Sequence, residues 1–161
     1  MSALVVVGAC YLDHILSVPR YPEEDEKLRA KSLSIRRGGN GPNTLEVLQQ
    51  MVGGTTGRSA SLFLCSTLPS SDCSATAKIR NSLGPMVDLS TCIYREDHTE
   101  PASSYIFSAA SSGSRTIVNY NSLPEMTVDE FKDVCRRIES DEVWYHFEVS
   151  CVLLRPTDTE N

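Results

Sequence analysis

An α/β fold built on an open parallel sheet is what this sequence predicts, and three stretches predict it. Residues 3–8, Ala-Leu-Val-Val-Val-Gly, form a continuous apolar run rich in β-branched side chains, the pattern of a strand buried on both faces. Arg36-Arg37-Gly38-Gly39-Asn40-Gly41-Pro42-Asn43 is a glycine turn that opens a helix, with Leu45, Leu48 and Met51 recurring at spacing three and Val47 four before Met51. Residues 126–138 carry a capping box, Thr127 to Glu130, and lead into an apolar strand at 142–147. Strands alternating with helices point to parallel units with right-handed crossovers. A length of 161 residues suits one domain with a real core.

The remaining elements follow in order. Residues 12–18 alternate unevenly before Pro19 and Pro22 interrupt them, and residues 23–26 are acidic and solvated. Residues 28–35 read as a strand, polar on one side, that enters the glycine turn. There Asn40 suits the helix cap and Pro42 the first turn, where no amide hydrogen is needed. Gly53-Gly54-Thr55-Thr56-Gly57 reads as a loop and residues 62–65 as a short buried strand. Ala75, Ile79 and Leu83 make a helical stripe that Gly84 stops, and residues 86–94 return as a strand. Residues 103–109 and 115–120 are expected to pair as a hairpin through Ser111-Ser112-Gly113-Ser114. In the helix at 127–138 the core stripe is Val128, Phe131, Val134, Cys135 and Ile138. Met126 and Phe131 sit at staple positions, and Arg136 and Arg137 at the favourable dipole end. Residues 151–154 are apolar, but 155–161 read as a frayed polar tail.

Composition excludes several classes. A hydrophobic content of 40% and a charged content of 22% are those of a soluble globular protein. A net charge of -6 gives no electrostatic case for nucleic acid. No apolar run reaches the ~18 residues of a membrane span, and no basic region precedes the first apolar stretch as in a signal peptide. The six cysteines form no Cys-x-x-Cys pair, and Cys65, Cys92 and Cys135 lie in apolar runs as small core residues do. His14, His98 and His146 have no ligand spacing, so structural or surface roles are expected and no metal site is assigned. The expectation is a reduced, cytoplasmic protein.

Asp13 follows the first strand, and Asn40 and Asn43 open the first helix. In open α/β sheets ligands bind beyond the carboxyl ends of strands. One carboxylate and two amides supply the acceptors and donors that fix the hydroxyls of a sugar. Taken alone, the same residues fit a turn aspartate and an ordinary strand-to-helix junction, and Gly8-Ala9-Cys10 lacks the Gly-x-Gly-x-x-Gly of dinucleotide-binding folds.

Order and spacing add more than any single motif. Val7-Gly8 with Asp13, then Arg37-Gly38-Gly39-Asn40-Gly41-Pro42-Asn43, then Gly113-Ser114-Arg115-Thr116-Ile117, resemble the amino-terminal half of the ribokinase-like (PfkB) sugar kinases. Tyr21-Pro22 and Ser122-Leu123-Pro124 are similar to the ketohexokinase or fructokinase branch, and His146-Phe147-Glu148 to a strand end carrying a glutamate near the sugar.

The resemblance implies a partial three-layer ribokinase-like α/β fold over residues 1–150, with a β-strand lid at about 12–36 and 103–120 and a divergent tail at 151–161. It implies ATP-dependent phosphorylation of a sugar hydroxyl, with ATP and Mg2+, a small-molecule sugar as partner and a homodimer through the lid. Asp13, Gly38, Gly39, Asn40, Asn43 and Glu148 match substrate-binding positions, and Arg115 one near the transferred phosphate. Val149-Ser150-Cys151 departs from the pattern just after Glu148, and the Gly-Ala-Gly-Asp segment that carries the catalytic base is absent from these 161 residues. No catalytic residue is therefore assigned. The alternative is a non-catalytic protein that binds a sugar or pairs through its lid.

Overall fold

The computed structural model describes residues 2–52 and 60–148. The chain begins with β1 (Ser2–Gly8), β2 (Tyr11–Val18), β3 (Ser32–Gly38) and α1 (Asn40–Val52). Further along the chain come β4 (Ser61–Cys65), β5 (Thr67–Pro69), α2 (Ser74–Ser82), β6 (Val87–Asp88) and β7 (Ile93–Arg95). Then follow β8 (Ser103–Ala109), β9 (Arg115–Tyr120), α3 (Val128–Arg137) and β10 (Glu142–Glu148).

The main sheet is parallel throughout, in the order β10-β1-β4-β6. Successive residues of β1 point to opposite faces, and each face is covered. Val6 packs with Leu45 of α1, Leu62, Leu64, Leu68 and Ile79 of α2. Val5 packs with Cys65 and Val134 of α3. The result is helix, sheet, helix: three layers, as the sequence implied.

A second sheet, in the order β3-β2-β8-β9, forms the lid. Its β2-β3 and β8-β9 pairs are antiparallel and its β2-β8 pair is parallel. Strands β5 and β7 make a small parallel pair of their own. The capping box of α3 is present, Thr127 Oγ1 accepting from the Glu130 amide at 3.2 Å while Glu130 accepts from the Thr127 amide at 2.8 Å. Arg95 ties this helix start to β7, donating to Glu130 at 2.5 Å and to the Glu125 carbonyl at 2.8 Å. Hydrogen bonding to Arg95 above all holds the Glu130 carboxyl down at about 2.

Several expectations change. The strand expected at 28–35 runs from Ser32 to Gly38, because its pairing with β2 runs from Ser17 opposite Ser32 to Tyr11 opposite Gly38. The stretch 86–94 is two strands. Asp88 accepts from the Ser90 amide and Leu89 from the Cys92 amide, so the chain turns out of the main sheet after Asp88 and re-forms as β7. Asn40 is the first residue of α1 and not its cap; the Gly39 carbonyl accepts the first helical bond, from the Asn43 amide at 3.1 Å.

The helix stripes are also narrower than their periodicity suggests. In α1 Leu45 is buried, but Val47 and Met51 are 55% and 66% exposed, and in α3 Val128 is 71% exposed. Among the described residues these three side chains lie outside both core clusters. Cys65 and Cys92 are buried as expected, whereas Cys135 is half-buried. The loop expected at 53–57 and the apolar and tail segments at 151–161 lie outside the described residues.

Candidate functional site

The site candidates gather where β1 hands over to β2 and β3 hands over to α1. Asp13 lies on β2 opposite Arg36 of β3 and Ser104 of β8, and Ser104 lies opposite Asn119 of β9. Register partners share a sheet face, so these four polar residues form a row across the lid. A methyl group at Gly38 would overlap the Asp13 carboxylate, so the carboxylate sits directly over that glycine. Gly39 has φ of +99° and packs its Cα against the Ala9 carbonyl, a place and a conformation that a side chain cannot share. The two glycines thus let the β3–α1 turn close onto Asp13 and the β1–β2 corner.

Asn43, in the first turn of α1, accepts from Arg37 Nη1 at 3.0 Å. The other terminal nitrogen of Arg37 pairs with Glu46, and the Arg37 side chain is only 4% exposed. Its Nε is buried without a hydrogen-bond partner. Cys10, at the β1–β2 corner, feels the charges of both Arg37 and Asp13. Burial, which outweighs the opposing pull of Arg37, pushes its thiol up to about 12, so it is inert as a nucleophile at neutral pH.

A second cluster stands beside the first. Thr44 donates to Glu148 at 3.0 Å, and His146 Nε2 lies 2.9 Å from the same Glu148 oxygen. Hydrogen bonds from His146 and then Thr44 hold the Glu148 carboxyl below its ordinary range. Gly8 permits the approach, since a Cβ there would stand 3.0 Å from that of Glu148. The first turn of α1 therefore touches both clusters, Asn43 on one side and Thr44 on the other.

The structure does not gather every candidate equally. Asn40 is exposed in the same first turn. Arg115 opens β9 opposite Ser108, four register positions from Asn119 and so about 13 Å along the lid from the Asp13 row. Two cavities, of about 820 Å³ along Arg80, Leu83, Met86 and Tyr94 and about 370 Å³ between Phe63, Val134 and Ile138, include none of Asp13, Asn40 and Asn43. Among the described residues no group of three or more His, Cys, Asp or Glu could hold a metal ion, and no helix is long and apolar enough to cross a membrane.

Three contributors escape a reading of the sequence. Arg37 stands out only as one of two adjacent arginines, and its bonds to Asn43 and Glu46 span a strand-to-helix turn that has no fixed spacing rule. Thr44 reaches Glu148, which the sequence does indicate, across 104 residues of chain. His146 looks like a surface histidine until its neighbour two residues on is seen to turn back to it.

No protein-family model matches the chain. The chain is 32% identical over 132 residues to ketohexokinase of Mus musculus, which covers 81% of this chain and 41% of that protein. Among solved structures, Arabidopsis thaliana ribokinase complexed with ribose and ATP superposes with a TM-score of 0.58 at 20% identity, over 83% of this chain and 42% of that one. Escherichia coli phosphofructokinase-2 in complex with fructose-6-phosphate gives 0.59 at 18% identity, over 91% and 45%. The layered sheet and the lid match the ribokinase-like fold. In sequence the chain is similar to ketohexokinase and in fold to the ribokinase-like proteins, and it spans about two fifths of the length of the curated relative it matches.

Proposed function

We propose that the β2–α1 junction binds a sugar, and that the chain is the sugar-binding part of an ATP-dependent, ketohexokinase- or fructokinase-like carbohydrate kinase. The carrying observation is the Asp13 carboxylate laid over Gly38, with Asn43 held by Arg37 in the adjoining helix turn. A carboxylate on the lid strand and an amide in the adjoining helix turn supply the acceptors and donors that a polyol needs. Asn40 extends the set from the same turn. Glu148, with Thr44 and His146, forms a further polar wall on the strand end beside it. Arg115, exposed at the far end of the lid, is assigned to the incoming phosphate, where a guanidinium suits an anion.

ATP and Mg2+ enter this reading as phosphoryl donor and metal. The described residues offer no acidic cluster for the metal, and no Gly-Ala-Gly-Asp occurs in the 161 residues. The role assigned to the described residues is sugar binding, with Arg115 toward the phosphate. Ile117, Val118 and Tyr120, bare on β9, favour as second reading a non-catalytic protein that pairs through its lid. Both readings place it in the cytoplasm.

The test combines calorimetry with D-fructose and D-ribose and a coupled ADP-release assay on the 161-residue chain. Sugar binding that Asp13→Ala weakens, without turnover, is the expected result. Sugar-dependent turnover by this chain would contradict the absence of a working catalytic half, and no binding of either sugar would contradict the site.

A further inference from the structure

We infer that Arg37 is a positioning residue that makes Asn43 a pure hydrogen-bond donor toward the ligand; the inference rests on the sugar-site reading above. A carboxamide carries one acceptor oxygen and one NH2 group, and its orientation decides which kind of ligand atom it reads. A guanidinium has donors and no acceptor. The 3.0 Å contact from Arg37 Nη1 therefore fixes Oδ1 as the Asn43 atom facing the arginine. The Nδ2 hydrogens are turned the other way.

Arg37 cannot readily let go. Its side chain is 4% exposed, its second nitrogen is tied to Glu46, and its strand position is fixed opposite Leu12 of β2. Its Nε has no partner in the buried environment. A charged group taken out of water needs compensating bonds. Here Asn43 and Glu46 provide them, so the position of the guanidinium and the orientation of the amide determine each other.

A consequence for specificity follows. An ionised Asp13 only accepts, so it demands a ligand hydroxyl hydrogen. Asn43, with its oxygen turned to Arg37, presents its NH2 group on the other side, so an ether, carbonyl or hydroxyl oxygen there satisfies it. The junction then tolerates loss of the hydroxyl hydrogen at the Asn43 position and rejects it at the Asp13 position. Neither rule can be read from an asparagine free to flip.

The test uses the 15N-labelled 161-residue chain and D-fructose. The Asn43 side-chain amide pair is assigned by its disappearance in Asn43→Asp. Arg37→Gln is expected to shift that pair while the backbone spectrum stays folded, Arg37→Lys to restore part of the shift, and Glu46→Gln to move it less. Glu46→Gln also serves if Arg37→Gln does not fold, and an Asn43 pair unmoved in every folded variant overturns the inference. Asn43→Asp separates positioning from mere structure. Its carboxylate keeps the bond to Arg37, so the melting temperature should not fall, yet D-fructose affinity should fall at least tenfold because the donors are gone. Unchanged affinity in Asn43→Asp overturns the donor role. A wild-type chain that shows the Arg37–Asn43 coupling but no response to D-fructose would overturn the sugar reading and support the coupling.

Discussion

Strands β1 and β9 are both rich in β-branched residues, yet they end in opposite surroundings. In β1 Val5 and Val6 are 0% exposed, each held under its own helix layer. In β9 Ile117 and Val118, which point to opposite faces of the lid, are 52% and 55% exposed. What separates them is place in the sheet: β1 has a neighbour on each side and helices above and below, while β9 is an edge strand. Composition alone therefore identifies a strand but does not say whether its faces are covered. An edge strand with two bare apolar faces invites a partner, which is the physical basis for the proposed lid-to-lid pairing.

The largest effect should come from the covered side. Leu64→Ala removes a fully buried side chain between the sheet and its helices and should lower stability by about 2–5 kcal/mol in denaturant unfolding. At the junction between core and lid, Asp13→Ala should weaken sugar binding by about 1.5–3 kcal/mol with little change in melting temperature. Gly39→Ala should cost about 1–3 kcal/mol of stability, because the alanine must adopt positive φ and displace the Ala9 carbonyl. A loss for Gly39→Ala much below that range would show that the turn relaxes, and the close approach would lose its meaning.

These sites differ in how far the sequence reveals them. The apolar run at β1, the capping box of α3 and the glycine turn are local signals, and local signals survive into the structure. The split of residues 86–94 into two strands depends on Asp88 accepting from the Ser90 amide, a turn that hydrophobic periodicity does not register. The exposure of Val47, Met51 and Val128 depends on what covers each helix from outside, which periodicity cannot state. Asp13, Gly38 and Asn43 are legible because they belong to one short motif and one strand end. Arg37 is not, because its role depends on a turn that brings it against a helix residue six positions later.

A pH effect sharpens the contrast on the α3 side. Glu130 is held down to about 2 from an ordinary value of 4.5, so its contribution is complete above about pH 4.5 and is lost as pH falls toward 2. An acid titration followed by the near-ultraviolet signal of Tyr145, which stacks edge-on against Phe131 of α3 at 5.7 Å, should show α3 loosening in that window. Glu130→Gln should remove that part of the pH dependence. The smallest effect belongs to the lid: Val118→Lys should change stability by no more than about 0.5 kcal/mol, since the residue is already exposed. It should nevertheless abolish any self-association seen by sedimentation, and association undiminished by it would place the contact elsewhere.

The central claim is that the turn joining β3 to α1, closed over Asp13, receives a sugar. Its most direct test is an amide-resolved titration of the 161-residue chain with D-fructose, comparing wild type with Asp13→Ala. Saturable shifts confined to residues 9–13, 38–44 and 104 are expected, with their loss in Asp13→Ala. Shifts that appear instead along the Arg80–Tyr94 groove, or that persist unchanged in Asp13→Ala, would contradict it.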